Sequence, residues 1–183
     1  FIAIESGIIF ELLEHPFFQR LRRISQMGLS YLVYPGARHS RFEHALGAMH
    51  LMNKVVVVLR NKDIEISDKE KEALSIAILL HDIGHGPFSH ALEETLLLDR
   101  HHEALSLGYM ELLNKQFDGQ LSLAIDIYSG KYPRKFMGQL VASQLDIDRL
   151  DYLKRDSFYT GVTEGNINTQ RIVEMFNVVD DEL

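Results

Sequence analysis

The 183-residue sequence contains no cysteine. This removes disulfides, thiolate metal sites and cysteine nucleophiles, and it fits a cytoplasmic protein. Any metal must rest on histidine, aspartate or glutamate. Long apolar runs are also missing. The longest, "VVVVL" at 55–59 and "LSIAILL" at 74–80, fall far short of the ~20 residues that span a bilayer. Neither sits at a terminus with a cleavage site behind it, as a signal peptide would, so a soluble protein with no membrane partner is expected. Positive charge is scarce as well: 19 Lys and Arg against 26 Asp and Glu leave a net charge of −7. That balance argues against a surface that tracks nucleic-acid phosphates, which needs basic side chains. No repeat, low-complexity tract or linker interrupts a composition that is 46% hydrophobic and 25% charged. One domain over 1–183 with a single core is therefore expected. The chain starts at Phe1 and stops at "VVDDEL" with no marker of a domain edge, which suggests the N-terminal part of a longer chain.

What is present is helical punctuation. Pro16 can open a helix at its first position, and Gly28 can close it, giving 16–27. Ser40 with Glu43, and Ser67 with Glu70, have capping-box spacing ahead of apolar-periodic runs and predict helices over 41–60 and 68–81. Periodicity adds helices near 89–97, 101–116, 120–128, 134–143, 146–155 and 169–178. The segment "GLSYLVYPGARHS" (28–40) forms at most a hairpin or an extended loop. The fold class is all-α, a helical bundle with irregular loops.

Histidine is the residue in excess, nine in all at 15, 39, 44, 50, 81, 85, 90, 101 and 102. A single histidine is usually a surface or capping residue. Three of them with an aspartate in "LLHDIGHGPFSH" (79–90) suit a divalent ion, which without thiolates takes imidazole and carboxylate ligands. Adjacent His81 and Asp82 would point about 100° apart on a regular helix, so they share an ion only at a helix end, which Gly84 and Gly86 are expected to supply. Two other stretches add to the signal. In "HSRFEHALG", His44 lies in the first turn of a capped helix with Arg41 one turn before it. In "SQLDIDRLDYLKRD", Asp146, Asp148, Asp151 and Asp156 crowd one amphipathic helix; the alternative there is a salt-bridged, solvated face.

Four separated stretches, "HPFFQRLRRISQMGLSYLVYPGARHSRFEHALG", "LLHDIGHGPFSHALE", "HHE" and "LDIDRLDYLKRD", resemble in order and spacing the HD-domain phosphohydrolase superfamily. The likeness is to its deoxynucleoside triphosphate triphosphohydrolase branch and covers about residues 8–165. It implies an HD-domain bundle whose metal ligands fall on His44, His81, Asp82 and Asp148, with magnesium, manganese, iron, nickel or zinc as the ion. It implies that His85, His90 and His102 face a triphosphate. His90 would be the general acid, oriented by Glu93 at i+3, and Glu103 would tune His102. Arg41 would hold phosphate as a guanidinium fork; a helix-face salt bridge to Glu43 or Glu5 is its structural alternative.

The resemblance assigns sugar recognition to Gln26, Tyr152 and Asp156. Asp148, Tyr152 and Asp156 recur every four residues and so share one helical face. Arg149 and Leu150 replace a lysine and a tryptophan of the vertebrate members, and Arg149 keeps the charge near phosphate. Glu14, Gln19 and Arg22 match a nucleotide-activator site, with glutamate in place of aspartate; their alternative role is to brace a helix. The implied activity is hydrolysis of dNTPs to deoxynucleoside and inorganic triphosphate by a homo-oligomer. Another HD phosphoesterase, either a nucleotidase or a cyclic-nucleotide phosphodiesterase, and a non-catalytic nucleotide-binding scaffold are the competing readings.

Overall fold

A computed structural model of the chain describes residues 2–4, 6–88 and 101–183. Among these residues it is all-α. The described residues form nine helices, α1 (Gly7–Glu14), α2 (Pro16–Gln19), α3 (Arg41–Arg60), α4 (Asp68–Leu80), α5 (His102–Gln116), α6 (Ser122–Tyr128), α7 (Lys135–Val141), α8 (Ile147–Thr160) and α9 (Thr169–Met175). The only β pairing among the described residues is two isolated bridges, Ser25 with Ser40 and Val179 with Glu182. The expected helix at 89–97 lies outside the described residues.

Helix α4 is central. Every residue from Ala73 to Leu80 is buried, and Leu74, Ile76, Ile78, Leu79 and Leu80 are each within 1% of full burial. At about 2 kcal/mol per buried large aliphatic side chain, this run anchors whatever follows Leu80. Helix α3 packs along α4 and gives the core Ala45, Ala48, Met49, Met52, Val55, Val56 and Leu59, which recur at the three- and four-residue spacing of an amphipathic stripe. Both helices start on the expected capping boxes, Ser40 with Glu43 and Ser67 with Glu70. Helix α8 also packs against α3.

Several boundaries differ from expectation, each for a local reason. The helix expected over 16–27 ends early: α2 stops at Gln19 and a 3-10 turn covers Arg20–Arg23. Beyond it the backbone pairs with the segment before α3, Gln26 N donating to His39 O and Arg41 N to Ile24 O. That pairing, rather than Gly28, ends the helix. The same pairing closes the 28–40 segment into a loop, the expected alternative to a hairpin, with a 3-10 turn at Ser30–Leu32. Helix α1 is additional to the expected set; it buries only Ile9, Leu12 and Leu13, too short a stripe to stand out. Helix α8 continues past 155 to Thr160, where Gly161 takes the left-handed cap with φ 76°. Helix α9 ends at Met175 instead of 178, as Phe176 turns extended.

Candidate metal centre

His81 and Asp82 follow the end of α4 directly. Helix α4 ends at Leu80, and His81 and Asp82 occupy the turn beyond it, closed by Ile83 N to Leu80 O and His85 N to Asp82 O. Neither Gly84 nor Gly86 has positive φ, so they do not end the helix by adopting the left-handed conformation. Gly84 is needed for a close approach instead: a Cβ there would lie 2.3 Å from His102 O and 2.4 Å from Ser106 N at the start of α5. Its own N–H donates to Ser106 Oγ at 2.9 Å. Arg20 clamps the turn from the other side, donating to His85 O at 2.8 Å and also to Ile83 O. Sequence reasoning gave Arg20 no role.

Three of the four expected ligands converge. His44, His81 and Asp148 each offer one donor atom, all within 4.8 Å of one another. Nε2 of His44 is 2.9 Å from Asp148 Oδ1 and 3.4 Å from Nε2 of His81, which is itself 3.3 Å from Asp148 Oδ1. Ligands about 2.1 Å from one ion, at angles between octahedral and tetrahedral, stand about 3.0–3.4 Å apart. The donor set and its spacing fit a divalent cation. Asp82 borders the same space, with Oδ1 3.5 Å from His81 Nε2 and Oδ2 3.8 Å from His44 Nε2.

Both imidazoles are already turned for this task. His44 Nδ1–H donates to Asp151 Oδ2 at 2.8 Å, and His81 Nδ1–H donates to Ile78 O at 2.6 Å. Each Nε2 is therefore the atom left to face the centre, the usual outer-shell device for fixing a ligand's tautomer. Asp151 is held in turn by Arg155, whose Nε and Nη2 reach its two oxygens at 2.7 and 2.8 Å. Gly47 on α3 makes room for this pair: a Cβ there would fall 2.0 Å from Arg155 Nη2 and 2.1 Å from Asp151 Oδ1. The sequence signal for the support was an aspartate three residues after an expected ligand and four before an arginine, a common surface pattern.

The four acids of this helix thus divide rather than forming a solvated face. Asp146 is the N-cap, accepting from Arg149 N at 2.7 Å and Ser143 N at 2.8 Å. Asp148 faces the centre, Asp151 supports His44, and Asp156 accepts from His39 Nε2 at 2.6 Å.

The electrostatics show a site short of positive charge. Burial alone would lower the His44 pKa, yet its hydrogen bonds to Asp148 and Asp151 lift it to about 10. His81 is raised too, against its burial, by Asp82 and Asp148. Asp82 and Asp148 fall below the ordinary carboxylate range despite burial, with His81 the first neighbour responsible in each case and Arg41 adding to the effect on Asp82. Two imidazoles whose nitrogens face each other cannot both keep a proton on the facing atoms without repulsion, whereas a cation between them satisfies both.

The remaining expected residues are placed as follows. Arg41 is buried at the start of α3 and donates from Nη1 to Asp82 Oδ2; Glu43 is engaged by Ser40. His85 is buried, with Nε2 3.3 Å from Asp82 Oδ1 and its ring stacked on His102 at 4.0 Å between centroids. Burial lowers its pKa to about 4. Arg149 is exposed, and Gln26 and Tyr152 are half-buried. His90 and Glu93 lie outside the described residues. Gln19 donates to Leu13 O at 2.6 Å and accepts from Arg22 Nε at 2.7 Å. Arg22 also covers the Phe42 ring at 3.6 Å. This geometry braces the α1–α2 junction; Glu14 is exposed at the end of α1.

Comparison with known proteins follows the same residues. Residues 41–156 match the HD domain family. The solved structure of a phosphohydrolase from Bacteroides thetaiotaomicron superposes with a TM-score of 0.96 at 56% identity, covering 100% of this chain and 46% of that one. A Bacillus subtilis protein, YwfO, is 36% identical over 100% of this chain and 43% of its own length. A Dictyostelium discoideum protein named as a deoxynucleoside triphosphate triphosphohydrolase, a SAMHD1 homolog, is 35% identical over 91% of this chain and 36% of its own length. The chain spans less than half the length of these relatives.

Proposed function

The chain belongs to the HD domain family, and from that premise we propose that it is a metal-dependent phosphohydrolase that cleaves deoxynucleoside triphosphates to deoxynucleoside and inorganic triphosphate. The observation that carries this reading is the convergence of His44, His81 and Asp148 on one point with Asp82 beside them. A divalent ion held there would polarise the phosphate and lower the pKa of water, the roles metals commonly play in hydrolysis at phosphorus. The named activity of the Dictyostelium relative supports the choice of substrate.

The net reaction adds one water across the bond between the α-phosphorus and the nucleoside 5′ oxygen. The water oxygen joins phosphorus, and the 5′ oxygen leaves with a proton. In this reading Arg41, its guanidinium braced by Asp82, and Arg149 counter phosphate charge. His85, neutral above about pH 4, serves as a hydrogen-bonding partner rather than as the donor of the leaving proton. That donor role is assigned to His90 with Glu93 orienting it, and His102 stacks His85 in place. Tyr152 and Asp156 continue the face of α8 that carries Asp148 and meet the sugar.

The test is an assay of the full-length protein with dGTP, GTP, dGMP and a cyclic dinucleotide, each with magnesium, manganese, iron, nickel and zinc. Release of deoxyguanosine together with inorganic triphosphate is the expected product pair. Activity confined to the monophosphate or to the cyclic dinucleotide would assign the site to another phosphoesterase class.

A further inference from the structure

His39 carries a second signal that the metal centre does not absorb. Its side chain is fully buried, yet Nε2 reaches a carboxylate, Asp156 Oδ1 at 2.6 Å, that is itself 25% exposed. The ring stacks on Tyr159 at 4.5 Å between centroids and 15° between planes. The loop that carries it is pressed onto the same helix: a Cβ on Gly36 would lie 2.2 Å from Tyr159 O. Through its backbone His39 also holds Gln26, which donates N–H to His39 O at 3.0 Å.

His39 Nδ1 is buried and finds no hydrogen bond among the described residues. Buried polar groups are nearly always paired, so a histidine buried at that cost, with its other nitrogen on a partly exposed carboxylate, is placed to hold that carboxylate. Nε2 faces Asp156 Oδ1 and so donates to it, and the remaining lone pairs of the carboxylate can accept from a hydroxyl donor.

We propose that His39 is a positioning residue that fixes Asp156 as the acceptor for a hydroxyl group on the substrate. The idea rests on the dNTP reading above. Asp148 and Asp156 share one face of α8, about 12 Å apart along the axis at ~1.5 Å per residue. A molecule that reaches both has its anionic end at the metal centre and its hydroxyl end at the dyad, as a nucleotide with a free 3′-hydroxyl does.

The test compares dGTP with 2′,3′-dideoxy-GTP in the full-length protein and in two variants. His39→Phe keeps the ring on Tyr159 and removes the N–H, while His39→Gln keeps an N–H without the ring. The wild type is expected to favour dGTP by about tenfold in KM, the worth of one hydrogen bond to a charged group. In His39→Phe this ratio collapses to about one, the effect falling on KM rather than kcat, and His39→Gln recovers most of it. An equal shift of both nucleotides in His39→Phe, or an undiminished ratio, overturns the role of His39 while leaving the hydrolase reading intact. If the wild type hydrolyses neither nucleotide, calorimetric binding of deoxyguanosine against dideoxyguanosine decides. A 3′-hydroxyl preference lost in His39→Phe upholds His39 and removes the triphosphate reading; no preference in the wild type overturns both.

Discussion

The two ends of α4 each hold a buried or nearly buried acid network, and the networks are built in opposite ways. At the N-terminal end Glu70 accepts from Ser67 N and Oγ, both at 2.7 Å, and from Tyr132 Oη and Arg134 Nη1, both at 2.9 Å. Burial would raise its pKa, but the bonds to Ser67, Arg134 and Tyr132 bring it down to about 2. Every acceptor there has a donor. At the C-terminal end, imidazole nitrogen faces imidazole nitrogen at 3.4 Å, and the histidines are driven toward protonation by the surrounding acids. A closed network stabilises the fold by itself. One that remains open after folding needs a ligand.

This contrast predicts different responses to the loss of one acid. The largest effect is expected for Asp148→Asn: affinity for a divalent ion and hydrolysis should each fall at least about a hundredfold, more than outer-shell losses usually cost. Thermal melting of the metal-free protein should fall as well, because without metal His44 Nε2 is paired with Asp148 Oδ1 at 2.9 Å. The metal role is read instead from the stabilisation that added metal gives the wild type and fails to give the variant.

An intermediate effect is expected one layer out. Asp151→Asn should weaken metal binding by about 10–100-fold through His44, read by titration calorimetry. Gly47→Ala should act in the same direction by displacing the Asp151–Arg155 pair, since the added methyl meets only the ends of those two side chains.

The smallest effect belongs to the closed end. Glu70→Gln should destabilise by about 1–2 kcal/mol, in the range of a lost cap, equally with and without metal. The depressed pKa of Glu70 means that its stabilisation is complete above the unfolded value of about 4.3 and is lost as pH falls toward about 2. The variant should therefore flatten the acid limb of a stability-versus-pH curve over that window. A metal-dependent loss in Glu70→Gln would break the comparison.

The sequence announced these two ends unequally. The Ser67 capping box was legible because capping is local, set within four residues. His44, His81, Asp82 and Asp148 were legible only as separate motifs joined by a family resemblance, since their meeting depends on how α3, α4 and α8 pack. Arg20, Asp151, Arg155 and His39 went without roles for a related reason. Each acts on a partner that only folding brings near, or has a local pattern that fits an exposed helix face equally well. The glycines misled in a specific way. Gly84 was read as a helix stop, but it serves a backbone approach to α5 that no local rule reveals. Among the helices, the long periodic ones were placed correctly to within a few residues. The 16–27 segment failed because a two-stranded backbone contact with residues 39–41 overrode its helical pattern.

The account stands most directly on a titration of manganese into the metal-stripped full-length protein between pH 6 and 8. His44, with a pKa of about 10 in the metal-free state, must release its proton when Nε2 takes the ion. The account predicts one ion per chain, bound with an affinity that rises by up to about tenfold per pH unit and is lost in Asp148→Asn. Binding that is absent, independent of pH, or undiminished in that variant would contradict it.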